Sequence, residues 1–245
     1  MIPSLRDLEA AALTTWPAAE VVSLGGWRLR ATDGFTGRAN SAQVGVDGSP
    51  HDLDDRFARV TAFYVERDLP PLVHVPLTHG TLLARIRSGG GSIRSGAEVL
   101  VGPVPAGDSI DEVELHEGPE PILDVWRAVN PAAAAHPEAS ASLLDRIQPP
   151  VAFALAHDAA GRPAACGVGT VRGGLFGLAA MATLPAARGQ GHARRIVAAL
   201  SGWAGGHSAT TCWLQVAPDN HAALGLYRSL GLRRSYGYVY AELGS

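Results

Sequence analysis

Apolar positions along this chain change their spacing several times, and each change marks an element. Leu5, Leu8, Ala12 and Trp16 recur at helical steps behind Ser4, with Asp7 three residues after it. That is a helix opening on a relative of the capping box. Residues 26–31 alternate polar and apolar as a strand does, and Asp33-Gly34 marks a turn. Residues 53–68 carry Phe57, Val60, Phe63 and Tyr64 on one helical face and stop at Pro70-Pro71. A strand at residues 72–75, a helix at 80–87 ended by three glycines, and a strand at 97–101 complete the first half. The stretch 103–121 is rich in Pro, Gly and acidic residues, which puts a domain boundary there, with one domain at 1–108 and the other at 109–245.

The second half is more regular. A helix is expected at residues 122–129, then an Ala/Ser/Pro-rich loop at 130–142 leading into a short helix at 143–147. Strands at 151–157, 164–171 and 175–183, separated by tight turns, form an antiparallel meander. A helix at 191–203 follows, then a strand at 211–216, a helix at 221–230 capped by Gly231, and a last strand at 236–243. This order gives an α/β or α+β layer fold.

Composition narrows the class. Of the 245 residues, 47% are hydrophobic and 18% charged, the balance of a soluble globular chain, and the net charge of -3 offers no general attraction to nucleic acid or an anionic membrane. All 20 Lys-plus-Arg positions are Arg. The two cysteines, Cys166 and Cys212, are too few for a disulfide framework and fit buried thiols in a reducing compartment. No basic segment with a following apolar run opens the chain, and the apolar stretch 175–187 is too short to span a bilayer. The expectation is a cytoplasmic protein without nucleic-acid or membrane partners.

The chemistry concentrates in Arg188-Gly189-Gln190-Gly191-His192-Ala193, which joins a strand to a helix. Helix N-termini carry unpaired N–H groups and the positive end of the helix dipole, so glycines there let the backbone close around a phosphate. Arg194 and Arg195 follow and add positive charge. The turn lacks the Gly-Lys-Ser/Thr of a P-loop, and Arg194 stands where a dinucleotide fingerprint needs its third glycine.

Arg188-x-x-Gly191-x-Ala193 resembles the Arg/Gln-x-x-Gly-x-Gly/Ala motif of the GNAT superfamily of N-acetyltransferases. Asn220-x-x-Ala223-x-x-Leu226-Tyr227-x-x-x-Gly231-Leu232 resembles a later pattern of that family, with Leu232 replacing Phe. Pro185 also agrees. The resemblance spans roughly residue 110 to the C-terminus. It implies a mixed, mainly antiparallel central sheet flanked by helices, and acetyl-CoA as co-substrate without a metal. The backbone of Met181, Ala182 and Thr183 would pair with the pantetheine arm. Amides of Gly189, Gln190, Gly191, His192, Ala193 and Arg194, with Arg188, would hold the pyrophosphate. Asn220 would contact the cofactor, and Tyr227 would protonate the departing thiolate.

Family members often carry a Glu base on the strand at 175–183 or on the strand before Asn220. Here the first has no acidic residue and the second offers Gln215, which cannot act as a base. Asp219 or His221 through water, His74, His79 or Glu66 from the first half, or an amine arriving neutral remain open. Residues 26–30 and 34–41 resemble a leader found in some two-part bacterial acetyltransferases, and the first half resembles a smaller, degenerate GNAT-like domain. Two readings follow: acetyl transfer to a primary amine of a small molecule or peptide, or an acyl-CoA sensor without turnover. A monomer with pseudo-dimeric halves and a homodimer are both compatible with the sequence.

Overall fold

The computed structural model describes residues 3–45, 52–107 and 112–244. The chain forms two compact units, one of Met1–Pro17 with Leu100–Ser235 and one of Ala18–Val99 with Tyr236–Ser245. The boundary expected at 108/109 lies outside the described residues.

Helix α1 (Leu5–Thr15) opens the first unit. Ser4 Oγ accepts from the Asp7 amide and the Asp7 carboxylate accepts from the Ser4 amide, so the capping box forms in full. In the other unit the chain builds β1 (Glu20–Leu24), β2 (Trp27–Ala31), β3 (Ala42–Gln43), α2 (Leu53–Val65), β4 (Leu72–Pro76), α3 (Gly80–Ser88) and β5 (Ser92–Pro103), whose last residues belong to the first unit. The β1–β2 and β2–β3 pairs are antiparallel, while β3–β4 is parallel. Val60, Phe63 and Tyr64 of α2 and Leu83 and Ile86 of α3 share a core with Trp27, Leu29, Val73 and Val75.

Back in the first unit come β6 (Val113–His116), α4 (Glu120–Val129), α5 (Pro131–Ala135), α6 (Pro137–Asp145), β7 (Val151–His157), β8 (Pro163–Arg172), β9 (Leu175–Thr183), α7 (His192–Gly206), β10 (Thr211–Val216) and α8 (His221–Ser229). Strands β6 to β9 pair antiparallel in sequence order, and β10 joins β9 in parallel. The final strand β11 (Arg233–Glu242) runs antiparallel to β4 in the other unit's sheet. The expected mixed, mainly antiparallel sheet with flanking helices is what forms.

Alternation on the strands decides the two faces. Ala152, Ala154, Ala156, Phe176 and Leu178 pack with Ile196, Val197 and Leu200 of α7. The opposite face carries Thr170, whose hydroxyl meets Thr15 of α1 at 3.1 Å, and Trp16 packs edge-on against Trp126 of α4 at 5.8 Å.

Two expectations need correcting. Residues 130–142 are not a loop: Asn130 Oδ1 accepts from the Ala132 and Ala133 amides, and prolines stand at the starts of both α5 and α6. A cap followed by proline is a start signal that outweighs the Ala/Ser/Pro composition. The Pro/Gly/acidic stretch 103–121 likewise hides β6, an edge strand paired with β7 through Val113–His116.

Candidate active site

The register between β9 and β10 ends at Leu178↔Leu214. Beyond it, Ala179–Thr183 and Gln215–Val216 continue without pairing to each other, so the two parallel strands part. On its other side β9 stays bonded to β8, through a bulge. Ala180 and Met181 together oppose the single Gly167, with Val168↔Ala179 before and Cys166↔Ala182 after. Ala180 takes φ 48°, a left-handed conformation uncommon for a residue with a Cβ. Gly167 makes room for the extra residue: a Cβ there would come within 2.4 Å of Met181 Sδ. Met181, Ala182 and Thr183 therefore lie past the point of parting, and their backbone can take an added strand on that side.

One 3-10 turn (Pro185–Ala187) links β9 to the glycine turn. Gly189 and Gly191 have φ of 77° and 83°, and a Cβ on either would meet nothing within 4 Å. Their need for glycine is conformational, and the space beside them is open. Helix α7 has no side-chain cap and no acidic residue in its first turn. Its first closing hydrogen bond runs from the Arg195 amide to the Gly191 carbonyl at 3.1 Å, so the His192, Ala193 and Arg194 amides precede the ladder. At the start of α8, by contrast, Asn220 Oδ1 accepts from the Ala223 amide at 3.1 Å and caps the helix. The geometry is that of an anion cradle.

The side chains of the turn divide. The Arg188 guanidinium makes no hydrogen bond or ion pair among the described residues and is exposed. Gln190 Nε2 donates to the Ala186 carbonyl at 3.0 Å. Arg194 donates to Ser229 Oγ on α8 at 2.7 Å, tying the first turn of α7 to the last of α8. Arg195 reaches Gln190, His192 and Glu112. Both arginines expected to face a phosphate thus have protein partners.

Tyr227 sits on α8 in the same core cluster as Leu178, Met181, Ile196, Cys212 and Val216, and is 5% exposed. Burial, reinforced by Cys212, pushes its phenol well above the ordinary tyrosine range. Its hydroxyl has no hydrogen-bond partner among the described residues. A phenol held protonated and uncommitted suits proton donation. Cys166 and Cys212 are buried free thiols, both pushed up to about 12 by burial, so neither is a nucleophile at neutral pH.

The base candidates scatter. Asp219 and His221 are exposed on the approach to α8. In the other unit His74 is 2% exposed and stacks on Tyr238 with ring centroids 3.9 Å apart. His79 precedes α3, and Glu66 pairs with Arg67 at 3.6 Å. Gln215 stands on β10 just past its last register pair with β9. A cavity of about 500 Å³ between α2 and α3 and another of about 480 Å³ beside the start of α1 include none of the expected site residues in their linings. No group of three or more metal-ligating side chains occurs among the described residues, and none of their helices is long and apolar enough to cross a membrane.

Sequence reading missed the bulge at Ala180–Met181 and the burial of His192. Nothing in the residue types announces the bulge except small Gly167 opposite it, and His192 entered only through its backbone amide.

The chain is 25% identical over 235 residues to the "Uncharacterized N-acetyltransferase YobR" of Bacillus subtilis (strain 168), covering 93% of this chain and 94% of that one. A "GCN5-related N-acetyltransferase from Kribbella flavida" superposes with a TM-score of 0.70 at 17% identity, over 99% of this chain and 97% of that one. A "Tandem GNAT protein from the clavulanic acid biosynthesis pathway" gives 0.65 at 12% identity, covering 99% and 90%. Residues 3–241 match the family described as "Probable histone acetyltransferase Rv0428c C-terminal". The chain belongs to that family and is a GNAT-type acetyltransferase.

Proposed function

We propose that the protein moves an acetyl group from acetyl-CoA to a primary amine by direct transfer. The observation that carries this reading is the uncapped N-terminus of α7, opening through Gly189 and Gly191 directly after the strand that parts from its neighbour. The residues fit the co-substrate. The free edge of Met181, Ala182 and Thr183 suits the amides of a pantetheine arm, and the orphan amides at 192–194 suit its pyrophosphate, with Arg188 as an uncommitted charge.

The amine lone pair attacks the thioester carbonyl, a C–N bond forms, and collapse breaks the C–S bond. Tyr227 gives its proton to the leaving sulfur, and the proton lost by the amine passes to water and returns to the phenolate through solvent. No covalent enzyme intermediate is needed, which agrees with thiols held fully protonated. The family description names a histone acceptor for its namesake. A peptide amine therefore joins small amines in the acceptor panel.

Calorimetric titration of acetyl-CoA into the wild type and Gly191→Glu tests the reading, together with thiol release against an amine panel. We expect micromolar binding abolished by the carboxylate, and amine-dependent thiol release. Binding of acetyl-CoA without turnover on any amine would favour the sensor reading. No binding to the wild type would end both.

A further inference from the structure

Beneath the glycine turn, three side chains from two parts of the sequence are tied together. His192, the first residue of α7, is 2% exposed. Its Nδ1 lies 2.8 Å from a guanidinium nitrogen of Arg195, and its Nε2 is buried without a hydrogen-bond partner. Arginine nitrogens only donate, so Nδ1 accepts and the ring is neutral, with its proton on Nε2. Arg195 also donates to the Gln190 carbonyl at 3.3 Å and to the Glu112 carboxylate.

The Gln190 contact has a geometric consequence. Among the described residues the cis peptide bond is Pro149–Pro150, so the bond joining Gln190 to Gly191 is trans. In a trans peptide the N–H points opposite to the C=O. With the Gln190 carbonyl drawn to Arg195, the Gly191 amide points away from that guanidinium. The space around the Gly191 Cα is open, with nothing within 4 Å of a Cβ position.

We propose that His192 is a positioning residue for coenzyme A. By accepting from Arg195 it holds the guanidinium against the Gln190 carbonyl, and so keeps the Gly191 amide turned toward the pyrophosphate. This rests on the coenzyme A reading above. Neutral His192 makes the tie, and protonated His192 would set an N–H against a guanidinium and break it. Burial first, and then Arg195, hold its pKa below the ordinary histidine range, while Asp158 and Glu112 oppose this more weakly. The tie is therefore intact at neutral pH and lost toward acid pH.

The test is calorimetry with coenzyme A on the full chain: wild type, His192→Leu, His192→Asn and Arg195→Lys, each shown folded by circular dichroism. At about pH 7.5, His192→Leu and Arg195→Lys should bind roughly tenfold more weakly, about 1.4 kcal/mol. His192→Asn restores an acceptor and should recover at least half of that loss. As pH falls below the ordinary histidine range, the wild type should lose several-fold more affinity than His192→Asn, because only the wild type carries the titrating ring. Titration of the ligand's own phosphate is common to all variants and cancels. Wild-type affinity in folded His192→Leu, or equal pH dependence in wild type and His192→Asn, overturns the proposal alone. Absence of wild-type binding overturns the coenzyme A reading itself.

Discussion

At the residue scale the proposed transfer turns on Tyr227. Its burial raises the phenol's pKa, so the acid form persists through the neutral and mildly alkaline range. Two consequences follow for kinetics. Tyr227→Phe removes a proton donor while leaving the ring in its core cluster, so kcat should fall by about 10²–10³ while acetyl-CoA affinity stays within about twofold. The wild-type kcat should not decline between about pH 7 and 9, since a raised pKa keeps the donor protonated there. A fall with a midpoint inside that range, absent in Tyr227→Phe, would show that the phenol ionises in reach of neutrality and contradict the buried-acid account. Cys212, in the same core cluster, is a buried free thiol as its sequence context suggests, and burial makes it packing rather than a nucleophile.

At the scale of elements, the cap that Asn220 forms can be separated from the cofactor contact proposed for it. Its Oδ1 caps α8 through the Ala223 amide, while the GNAT resemblance gives it contact with the cofactor. Asn220→Ala should cost about 1 kcal/mol of stability through the lost cap and lower Tm by roughly 2–4 °C. Asn220→Asp keeps an acceptor oxygen but loses the amide donor. It should hold the wild-type Tm and still weaken acetyl-CoA binding severalfold, and wild-type affinity in this variant would leave Asn220 as a cap alone. The same elements show what sequence made legible. Strands β7, β9 and β10 have the bounds that their apolar runs and flanking turns predict, because short buried strands between Gly-rich turns leave little alternative. The glycine turn was legible too, since φ near 80° at two positions restricts the residue type. The parting of β9 from β10 was not: it is a fact of register, and no residue between Leu178 and Thr183 encodes the lost partner. The Arg195 hub was hidden for a related reason, as Glu112 stands far away in sequence inside a stretch whose composition reads as linker.

At the scale of the whole molecule, the sequence suggests a cut near 108, and the compact units make that cut a strong test of how the fold is held together. The unit that carries the glycine turn draws on Met1–Pro17 and on residues from Leu100 onward. Leu100 is fully buried in the cluster that also holds Ile196, Leu200 and Tyr227. Gly107 lies so close to α7 that a Cβ on it would come within 2.2 Å of the Gly202 nitrogen, so this segment is packed rather than draped. At the other end of the sequence Thr15 bonds Thr170, and these two hydroxyls with Trp213 Nε1 crowd the Cα of Gly177 on β9, each within 3.1 Å of a Cβ position there. A fragment of residues 109–245 lacks Thr15, Trp16 and Leu100, and leaves their partners facing water. Exposing surface equivalent to a buried Trp and Leu forfeits roughly 5 kcal/mol, comparable to the whole stability of a modest domain, about 5–15 kcal/mol. The buried Thr170 hydroxyl would also lose its partner. The fragment should therefore show no cooperative thermal transition, bind a hydrophobic dye and fail to bind acetyl-CoA. Adding a separately produced fragment of residues 1–108 should restore both the transition and the binding, because the missing pieces return without a covalent link. Cooperative unfolding of 109–245 alone, at a Tm within a few degrees of the full chain, would mean instead that the second half is a self-sufficient domain and that α1 and the 100–107 segment are appended to it.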